Sequence, residues 1–361
     1  MSTKHAVVVG GLGVIGRALI DRLTGDPDWD VTGLSRRAPD FETSARFVSV
    51  DLSDREGTFA TLAALEQTTH VFYAAYQPMP SRTEEVAPNV ALLANAVDAL
   101  AAASADLEHV NLMEGGKWYG CHLGPFRTPA VEDDPRHIPP NFYYDQQDWL
   151  QSAAARGGFG WSALRPEAVC GFAVGNPMNL TMAIAVYAAI CAELNVPFSF
   201  PGKTGAYNAL YEVTDARLLA HAAQWTATNP SSSGEAFNIT NGDFFRWSNI
   251  WPTFAAAFGL QPAEPRHINL TEFMADKGPV WDRIVAKHGL VPYAYRDVVS
   301  WPFADAIFGS DWDIARSTLK ARRHGFDAFI ETDRMFTELF TNLQHARIIP
   351  GLGSATSREA A

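Results

Sequence analysis

The sequence predicts an α/β protein, with a Rossmann-like, doubly wound parallel sheet and a smaller mixed α/β lobe in its C-terminal half. Three observations predict this fold class. The stretch VVVGGLGVIG, residues 7–16, takes an apolar strand into a glycine-spaced turn. Short β-rich runs then alternate with helix-like stretches as far as residue 165, and beyond it the pattern becomes irregular. Strands that alternate with helices form a parallel sheet covered on both faces.

Each element is predicted from its periodicity and from the turn residues that bound it. The predicted strands are 6–10, 30–34, 46–50, 69–75, 108–113, 161–164 and 236–239. The predicted helices are 14–24, 57–66, 87–104, 143–156, 178–194, 215–227, 248–258, 270–288 and 328–344. Residues 120–140 and 197–205 are rich in Pro and Gly, which predicts a surface excursion and a loop.

These elements divide the chain into a nucleotide-binding and a substrate-binding part. Residues 1–170 are predicted to form the Rossmann-like domain, with the excursion 120–140 on its surface. Residues 171–350 are predicted to form mainly the substrate-binding lobe, with segments that return to the core. The small polar tail 351–361 is expected to be mobile.

Composition narrows the class of protein. The net charge of −12 argues against nucleic acid and anionic membranes as main partners. The sequence contains no run of about 18 apolar residues, so no membrane span is predicted. The N-terminus lacks the pattern of a signal peptide. Cys121, Cys170 and Cys191 are scattered without a CxxC motif, and the histidines have no metal-ligand spacing. We therefore expect a cytoplasmic protein without a metal site.

The glycine turn predicts a dinucleotide site. Gly10, Gly13 and Gly16 form GxxGxxG between a strand and a helix. Side chains at these positions would push a pyrophosphate away from the helix start, where Val14 and Ile15 offer their N–H groups. A tight turn that merely needs glycine is the alternative.

The end of the second strand indicates which dinucleotide. An NAD site has a carboxylate there that binds the ribose 2′-hydroxyl, whereas this strand ends in Ser35, Arg36 and Arg37. The planar guanidinium group of arginine donates paired hydrogen bonds to phosphate oxygens, which suits the 2′-phosphate of NADPH. NADPH is therefore the predicted cofactor. Arginines that are simply solvated are the alternative.

Two further strand ends are predicted to contact the cofactor. Asp51 and Leu52 follow the third strand, at the place where proteins of this fold commonly contact the adenine amino group of the cofactor. Ala74 and Ala75 end the fourth strand and let the backbone pass close to the cofactor.

Short-chain reductases normally carry Tyr-x-x-x-Lys, which places both side chains on one face of a helix, and this chain lacks that motif. No tyrosine has a lysine four residues later: Tyr143 and Tyr144 are followed at that spacing by Gln147 and Asp148. Lys117 follows the strand 108–113 and is therefore expected beside the nicotinamide ribose, near the helix that carries Tyr144. An ordinary surface lysine is the alternative.

Several stretches resemble one family. They are "GGLGVIG", "GLSRR", "THVFYAAY", "GGKWYG…GPF", "NFYYDQQDWL", "LRPEAVCGF", "MNLTMAIAVYAAIC" and "FPG". Together, over residues 5–350, they resemble the progesterone 5β-reductase/iridoid synthase-like family of atypical extended short-chain reductases. The resemblance implies NADPH-dependent reduction of the C=C bond of enones, with Tyr144 and Lys117 as the active pair that also contacts the cofactor. It implies Arg36 and Arg37 at the 2′-phosphate, and a possible homodimer.

The chain departs from the family in the expected pocket, at Tyr76, Met113, Glu114 and Trp118, so the resemblance implies the type of reaction and not the substrate. In the implied reaction, hydride adds to the β-carbon and Tyr144 stabilises the enolate, with Lys117 as a nearby cation. An apolar pocket for a small-molecule enone is predicted, although each member could be ordinary core. Its predicted members are Tyr76, Trp118, Phe126, Phe172, Met178, Met182 and Tyr207.

Other functions remain open from the sequence. The missing Tyr-x-x-x-Lys favours a non-catalytic NADP-binding regulator. A carbonyl reductase that adds hydride directly to the carbonyl carbon could use the same phenol. A sugar-nucleotide epimerase fits less well, because Arg36 and Arg37 replace the expected acidic residue.

Overall fold

The computed structural model describes residues 3–173, 175 and 178–351. Its strands are β1 Lys4–Val9, β2 Trp29–Ser35, β3 Arg46–Ser49, β4 His70–Tyr73, β5 His109–Met113, β6 Gly160–Pro166, β7 Val169–Cys170, β8 Phe198–Ser199, β9 Leu210–Tyr211, β10 Thr214–Asp215, β11 Glu235–Ile239, β12 Phe245–Arg246 and β13 Pro262–Ala263. Its helices are α1 Val14–Thr24, α2 Arg55–Leu62, α3 Arg82–Ala103, α4 Phe142–Gly157, α5 Leu180–Leu194, α6 Thr204–Asn208, α7 Ala216–Thr228, α8 Trp247–Ala257, α9 Leu270–Phe273, α10 Gly278–His288, α11 Tyr295–Val298, α12 Trp301–Phe308, α13 Leu319–Arg323 and α14 Thr332–His345.

The predicted doubly wound sheet is confirmed. Seven parallel strands lie in the order β11-β6-β5-β4-β1-β2-β3, so the chain reverses direction across the sheet between β1 and β4. In such a sheet, ligands bind where the strand order reverses, at the carboxyl ends of the strands. This edge carries the glycine turn after β1 and the segments that follow β4 and β5.

Helices cover both faces because side chains alternate along each buried strand. Val7 and Val9 pack with α2, α3 and α4 on one face. Ala6 and Val8 point the other way and pack with α1, α7 and α13. Strands buried on both faces read as continuous apolar runs, as β1 does.

A third core forms largely after residue 170. Its apolar side chains come from α5, α8, α10, α12 and α14, and it holds the aromatic rings of Phe200, Trp247 and Trp251. α7 and β11 also lie beyond residue 170, but they pack onto the sheet. The division at residue 170 remains a prediction.

Several predicted elements need correction. The single helix predicted over 270–288 is instead two helices, α9 and α10. Pro279 lies in the first turn of α10, where proline favours the start of a new helix. α3 begins at Arg82, five residues before the prediction, because the Ser81 side chain accepts the N–H of Glu84. Helices α6, α11, α12 and α13 were not predicted, and α6 begins inside the predicted loop 197–205. Residues 352–361 of the predicted tail lie outside the described residues.

By length and composition alone, α3 is the one described helix that could cross a membrane. It has 22 residues and a mean hydropathy of 1.5. It packs against α2 and α4, and its Leu93, Ala96, Val97 and Leu100 lie in the core beside the sheet. A single helix of this kind is weak support for a membrane span, since a buried core helix has the same composition.

Candidate active site

The glycine turn brings the backbone of β1, β4 and α1 into close contact. Gly10 has φ +86°, and a Cβ there would lie 3.0 Å from the Ala74 carbonyl and the Ala75 nitrogen. A Cβ on Gly16 would lie 2.2 Å from the Gly10 oxygen. Gly13 caps α1 without a side chain, which leaves the N–H groups of the first turn open. These features fit a diphosphate on the helix N-terminus.

The first of the two arginines after β2 borders an open cavity. Arg36 lines a cavity of about 340 Å³ together with Ser49, Val50, Asp51, Asp54, Gly57 and Thr61. Arg36 and Arg37 are exposed and form no ion pair with another described residue. The Ser35 hydroxyl accepts the backbone N–H of Arg37 and fixes the bend. The exposed Arg36 guanidinium at this cavity, with the exposed Arg37 next to it in the chain, suits a ribose that carries a phosphate.

The remaining predicted cofactor residues lie along the same edge. Asp51 accepts hydrogen bonds from the N–H and hydroxyl of Ser53, which hold its pKa below the usual range. The Leu52 carbonyl accepts from the Asn95 amide at 2.8 Å. Ala74 donates its N–H to Val9 at 2.9 Å and so continues the β1–β4 pairing to the glycine turn.

Lys117 lies on a 3-10 turn, Gly116–Tyr119, directly beyond β5. The Lys117 carbonyl accepts from the Asn141 amide at 2.9 Å and from the His137 ring at 3.0 Å. The Trp118 ring lies 3.6 Å from the Arg165 guanidinium carbon. The backbone of the turn is therefore held from several sides.

The side chain of Lys117 is left free by these contacts. It is half-buried, and no described residue forms a hydrogen bond or ion pair with its ammonium group. Burial, and next the positive charge of Arg82, lower its pKa; Glu85, Cys121 and Glu167 act in the opposite direction. A partly desolvated amine at this edge, without a partner in the described part of the chain, suits contact with a ligand.

The structure does not support Tyr144 as the phenol that meets a substrate. Its hydroxyl donates to the Trp118 carbonyl at 2.6 Å and accepts the His137 N–H at 3.2 Å. The ring packs edge-on against Trp118 with centroids 4.8 Å apart, and the residue is 5% exposed. Tyr144 therefore holds the Lys117 turn in place through its neighbour, and its only proton is committed to the backbone.

The preceding residue, Tyr143, faces the cleft instead. A Cβ on Gly115 would lie 3.1 Å from the Tyr143 hydroxyl, so this hydroxyl lies over the end of β5, two residues before Lys117. No described residue forms a hydrogen bond with it. Burial, and next the charge of a Tyr76 phenolate, raise its pKa, which keeps the phenol protonated at neutral pH. The spacing within "NFYY" alone does not distinguish the two tyrosines.

Two buried ion networks, absent from the sequence predictions, lie beneath the site. Glu114 accepts from Arg165 at 2.8 Å, and both side chains are almost fully buried. Arg316 donates to Glu167 at 2.5 Å and to Glu212 at 2.8 Å. A Cβ on Gly116 would lie 2.2 Å from a Glu167 oxygen, so this carboxylate lies against the Lys117 turn.

A third cluster of hydrogen-bonded side chains that the sequence analysis did not predict lies at the start of α3. Glu85 is 4% exposed; one oxygen accepts from the Tyr76 hydroxyl and the other from Arg82 at 2.9 Å. The Tyr76 ring stacks on Phe142 at 5.5 Å, and Phe142 contacts Tyr143 at 4.4 Å. The motif Ser81-x-x-Glu84 could have revealed this helix start beside the carboxyl edge of β4.

The other predicted pocket residues are in different surroundings. Trp118 and Met182 are 4% and 1% exposed and belong to packed cores, so the structure does not present them to a ligand. Phe126 and Phe172 are half-buried, and Phe172 lies 5.5 Å from the Arg17 guanidinium. Tyr207 packs on Phe200. Met178 is 40% exposed.

The cysteines are buried free thiols. Burial raises the pKa of Cys121, Cys170 and Cys191, which makes each a poor nucleophile. In the described part of the chain, no group of three or more His, Cys, Asp or Glu side chains could hold a metal ion.

Fold and site together define a Rossmann-fold protein of the short-chain dehydrogenase/reductase type, with an oxidoreductase-like site at the carboxyl edge of its sheet. Residues 51–350 match the family described as the PRISE-like Rossmann-fold domain. The chain belongs to this family, which confirms the resemblance seen in the sequence.

Curated relatives match along almost the whole chain. The (S)-8-oxocitronellyl enol synthase CYC2 of Camptotheca acuminata is 34% identical over 366 residues, 96% of this chain and 93% of that protein. The (S)-8-oxocitronellyl enol synthase ISY2 of Nepeta racemosa is 34% identical over 364 residues, 96% of this chain and 91% of that protein. These similarities support an enzyme.

Solved structures share the fold at low identity. A UDP-glucose 4-epimerase of Thermus thermophilus, in complex with NAD, has a TM-score of 0.67 and 16% identity, covering 95% of this chain and 99% of its own. A UDP-glucose 4-epimerase of Brucella ovis, in complex with NAD, has a TM-score of 0.66 and 16% identity, covering 93% and 97%. At this identity the similarity shows the extended short-chain reductase fold alone.

Proposed function

We propose that this protein uses NADPH to reduce the activated C=C bond of an α,β-unsaturated carbonyl compound. One observation carries the proposal: the Tyr143 hydroxyl lies over Gly115, just beyond β5, and Lys117 lies on the turn two residues further along, with neither side chain bonded to another described residue. A phenol that can donate beside a cation suits a reaction in which negative charge develops on a substrate oxygen.

The nucleotide side of the cleft supports the cofactor. Gly10 and Gly16 leave room for a diphosphate that a Cβ would fill. Arg36 and Arg37 would hold the 2′-phosphate, which favours NADPH over NADH. The structural neighbours crystallised with NAD are consistent with a nicotinamide dinucleotide. When bound, NADPH supplies the hydride.

Tyr143 and Lys117 would stabilise the charge that the addition creates. As the β-carbon gains hydride, the electron pair of the C=C bond moves through the conjugated system to the carbonyl oxygen and gives an enolate. The Tyr143 hydroxyl would donate a hydrogen bond to this oxygen, a contact worth about 3 to 4 kcal/mol in comparable sites. Lys117 would add a positive charge nearby, and the α-carbon takes its proton from water.

The names of the relatives are consistent with this chemistry. They are called synthases of an enol, and hydride addition to a conjugated carbonyl yields an enol or enolate. The proposed site therefore belongs to the same class of reaction, without identifying the same substrate.

NADPH oxidation with small enones tests the proposal. With 2-cyclohexenone and an open-chain enal we expect NADPH consumption and a saturated carbonyl product, identified by gas chromatography. An allylic alcohol would show carbonyl reduction instead. NADPH binding without consumption across the panel would favour a regulator.

A further inference from the structure

The substrate side of the cleft contains a polar end. Arg82 follows β4 by nine residues and lies in the first turn of α3. Its Nη1 donates to Glu85 at 2.9 Å, while 47% of the side chain remains exposed. A guanidinium has five N–H donors in a planar fork, so this one keeps donors for another acceptor.

Glu85 is fully committed to its neighbours. One oxygen accepts from Arg82 and the other from the Tyr76 hydroxyl. The Asn89 amide holds the Glu85 carbonyl at 2.8 Å and the Gln77 carbonyl at 2.9 Å, which fixes the loop between β4 and α3. Glu85 therefore balances the charge of Arg82 and orients it, and the free donors of Arg82 are held in place.

The contacts continue from this group to the proposed reaction centre. Tyr76 stacks on Phe142, and Phe142 lies against Tyr143. The charge of Arg82 also lowers the pKa of Lys117, while that of Glu85 raises it. Arg82 therefore acts on the same cleft as the Tyr143 hydroxyl.

His122 lies on the excursion, directly after Cys121, whose sulfur would be 3.2 Å from a Cβ on Gly116 of the Lys117 turn. Its Nδ1 is buried and has no hydrogen-bond partner among the described residues, and its ring lies 5.6 Å from that of His137. Burial, and then the positive charges of Arg82 and Lys117, lower its pKa to about 4. His122 is therefore neutral at pH 7, with a buried nitrogen that needs a partner.

We propose that Arg82 and His122 bind a carboxylate of the substrate, so that the natural substrate is an enone or enal that also carries a carboxylate. This inference rests on the proposed function and specifies its substrate class. Arg82 keeps free donors beside its paired Glu85, and the Lys117 ammonium group is close enough for the positive charge of Arg82 to act on it. Guanidinium and imidazole N–H groups suit a carboxylate, which accepts through both oxygens.

The test compares matched probes that differ only in charge. A series of enones carries a carboxylate one to three methylene groups from the conjugated system, and each acid is paired with its methyl ester. For the native protein we expect kcat/KM to favour the best acid over its ester by about tenfold or more, the size of a charge-assisted hydrogen bond. A ratio near one across the series would overturn the proposal.

Two variants locate the preference. The double variant R82Q/E85Q removes both charges and leaves no unpaired carboxylate, and we expect the acid-to-ester ratio to fall to near one. His122→Leu leaves the Arg82–Glu85 pair in place and should lower the same ratio. The control is Arg127→Gln, because Arg127 also pairs with a less exposed acid, Asp134, and no described hydrogen bond or ion pair joins it to Arg82, His122 or Tyr143. A ratio that R82Q/E85Q leaves unchanged would overturn the proposal.

Binding gives a readout that does not depend on turnover. The saturated acids and their esters are titrated into the protein with NADP⁺ by isothermal calorimetry. Tighter binding of the acid, lost in R82Q/E85Q, supports the carboxylate site even if no enone is reduced. Equal binding of acid and ester refutes it even if enones are reduced.

Discussion

Replacing Tyr144 with phenylalanine separates a positioning role from a catalytic one. The hydroxyl makes two hydrogen bonds, at 2.6 Å to the Trp118 carbonyl and at 3.2 Å from the His137 N–H. Each contributes about 1 kcal/mol, and the buried Trp118 carbonyl left without a partner adds about 1 kcal/mol or more. We therefore expect Tyr144→Phe to lower the free energy of unfolding by about 3 kcal/mol.

The same variant should lose much less turnover than a variant that lacks the oxyanion donor. The Lys117 carbonyl keeps its contacts with Asn141 and His137, so we expect kcat with 2-cyclohexenone to fall by less than about tenfold, short of the loss seen when an oxyanion donor is removed. Urea unfolding followed by tryptophan fluorescence measures the first effect, and NADPH oxidation the second. A loss of about a hundredfold in kcat at unchanged stability would refute the positioning role.

Three further changes test other parts of the site. Gly115→Ala places a Cβ 3.1 Å from the Tyr143 hydroxyl; the ring must move by a few tenths of an ångström, and we expect kcat to fall about tenfold with little change in stability. The double variant Arg36→Gln/Arg37→Gln should lower kcat/KM for NADPH by about tenfold to a hundredfold and leave that for NADH nearly unchanged. His109→Gln should make stability less sensitive to acid, as measured by urea unfolding at pH 7.5 and 5.0.

The expected acid effect follows from the burial of His109. It is 6% exposed and hydrogen-bonded to Ser162 at 2.8 Å, and burial, then the charge of His70, lower its pKa to about 3 from a reference of 6.5. Below pH 6.5, His109 is therefore protonated in the unfolded chain but stays neutral in the folded protein, so the free energy of unfolding falls as the pH drops. Between pH 7.5 and 5.0 this histidine should account for about 2 kcal/mol. The control is the exposed His345. If His345→Gln reduced the acid sensitivity of stability as much as His109→Gln does, the effect could not be assigned to the burial of His109.

The glycine turn was the most predictable part of the molecule. Its sequence predicts α1 over 14–24, and the structure has the helix Val14–Thr24. The agreement has a local cause, because Gly10 and Gly16 are required by close backbone contacts within one β-α unit. Parallel order follows equally directly from alternating strands and helices.

The choice between Tyr143 and Tyr144 could not be made from the sequence. Neighbouring side chains on a helix point about 100° apart, so a one-residue change in where α4 begins would exchange their roles. That start depends on Asn141, whose side chain accepts the Tyr143 N–H and donates to the distant Lys117 carbonyl. Tertiary contact therefore decides which phenol faces the cleft.

The buried charges were missed for a similar reason. Arg165 meets Glu114 across 51 residues, and Arg316 meets Glu167 across 149. Neither pair leaves a local pattern, since each residue alone reads as an ordinary charged side chain at a strand or helix end. The predictions of a homodimer and a cytoplasmic location remain predictions, because a single chain carries no observation of either.

The most direct measurement is the single-turnover rate of hydride transfer from NADPH to 2-cyclohexenone in Tyr143→Phe. We predict a rate lower by about a hundredfold to a thousandfold, with the dissociation constant for NADPH within about a factor of two, because the phenol meets the carbonyl oxygen and not the nucleotide. An unchanged rate in Tyr143→Phe, or an equal fall in Tyr144→Phe, would contradict the assignment of Tyr143 as the hydrogen-bond donor.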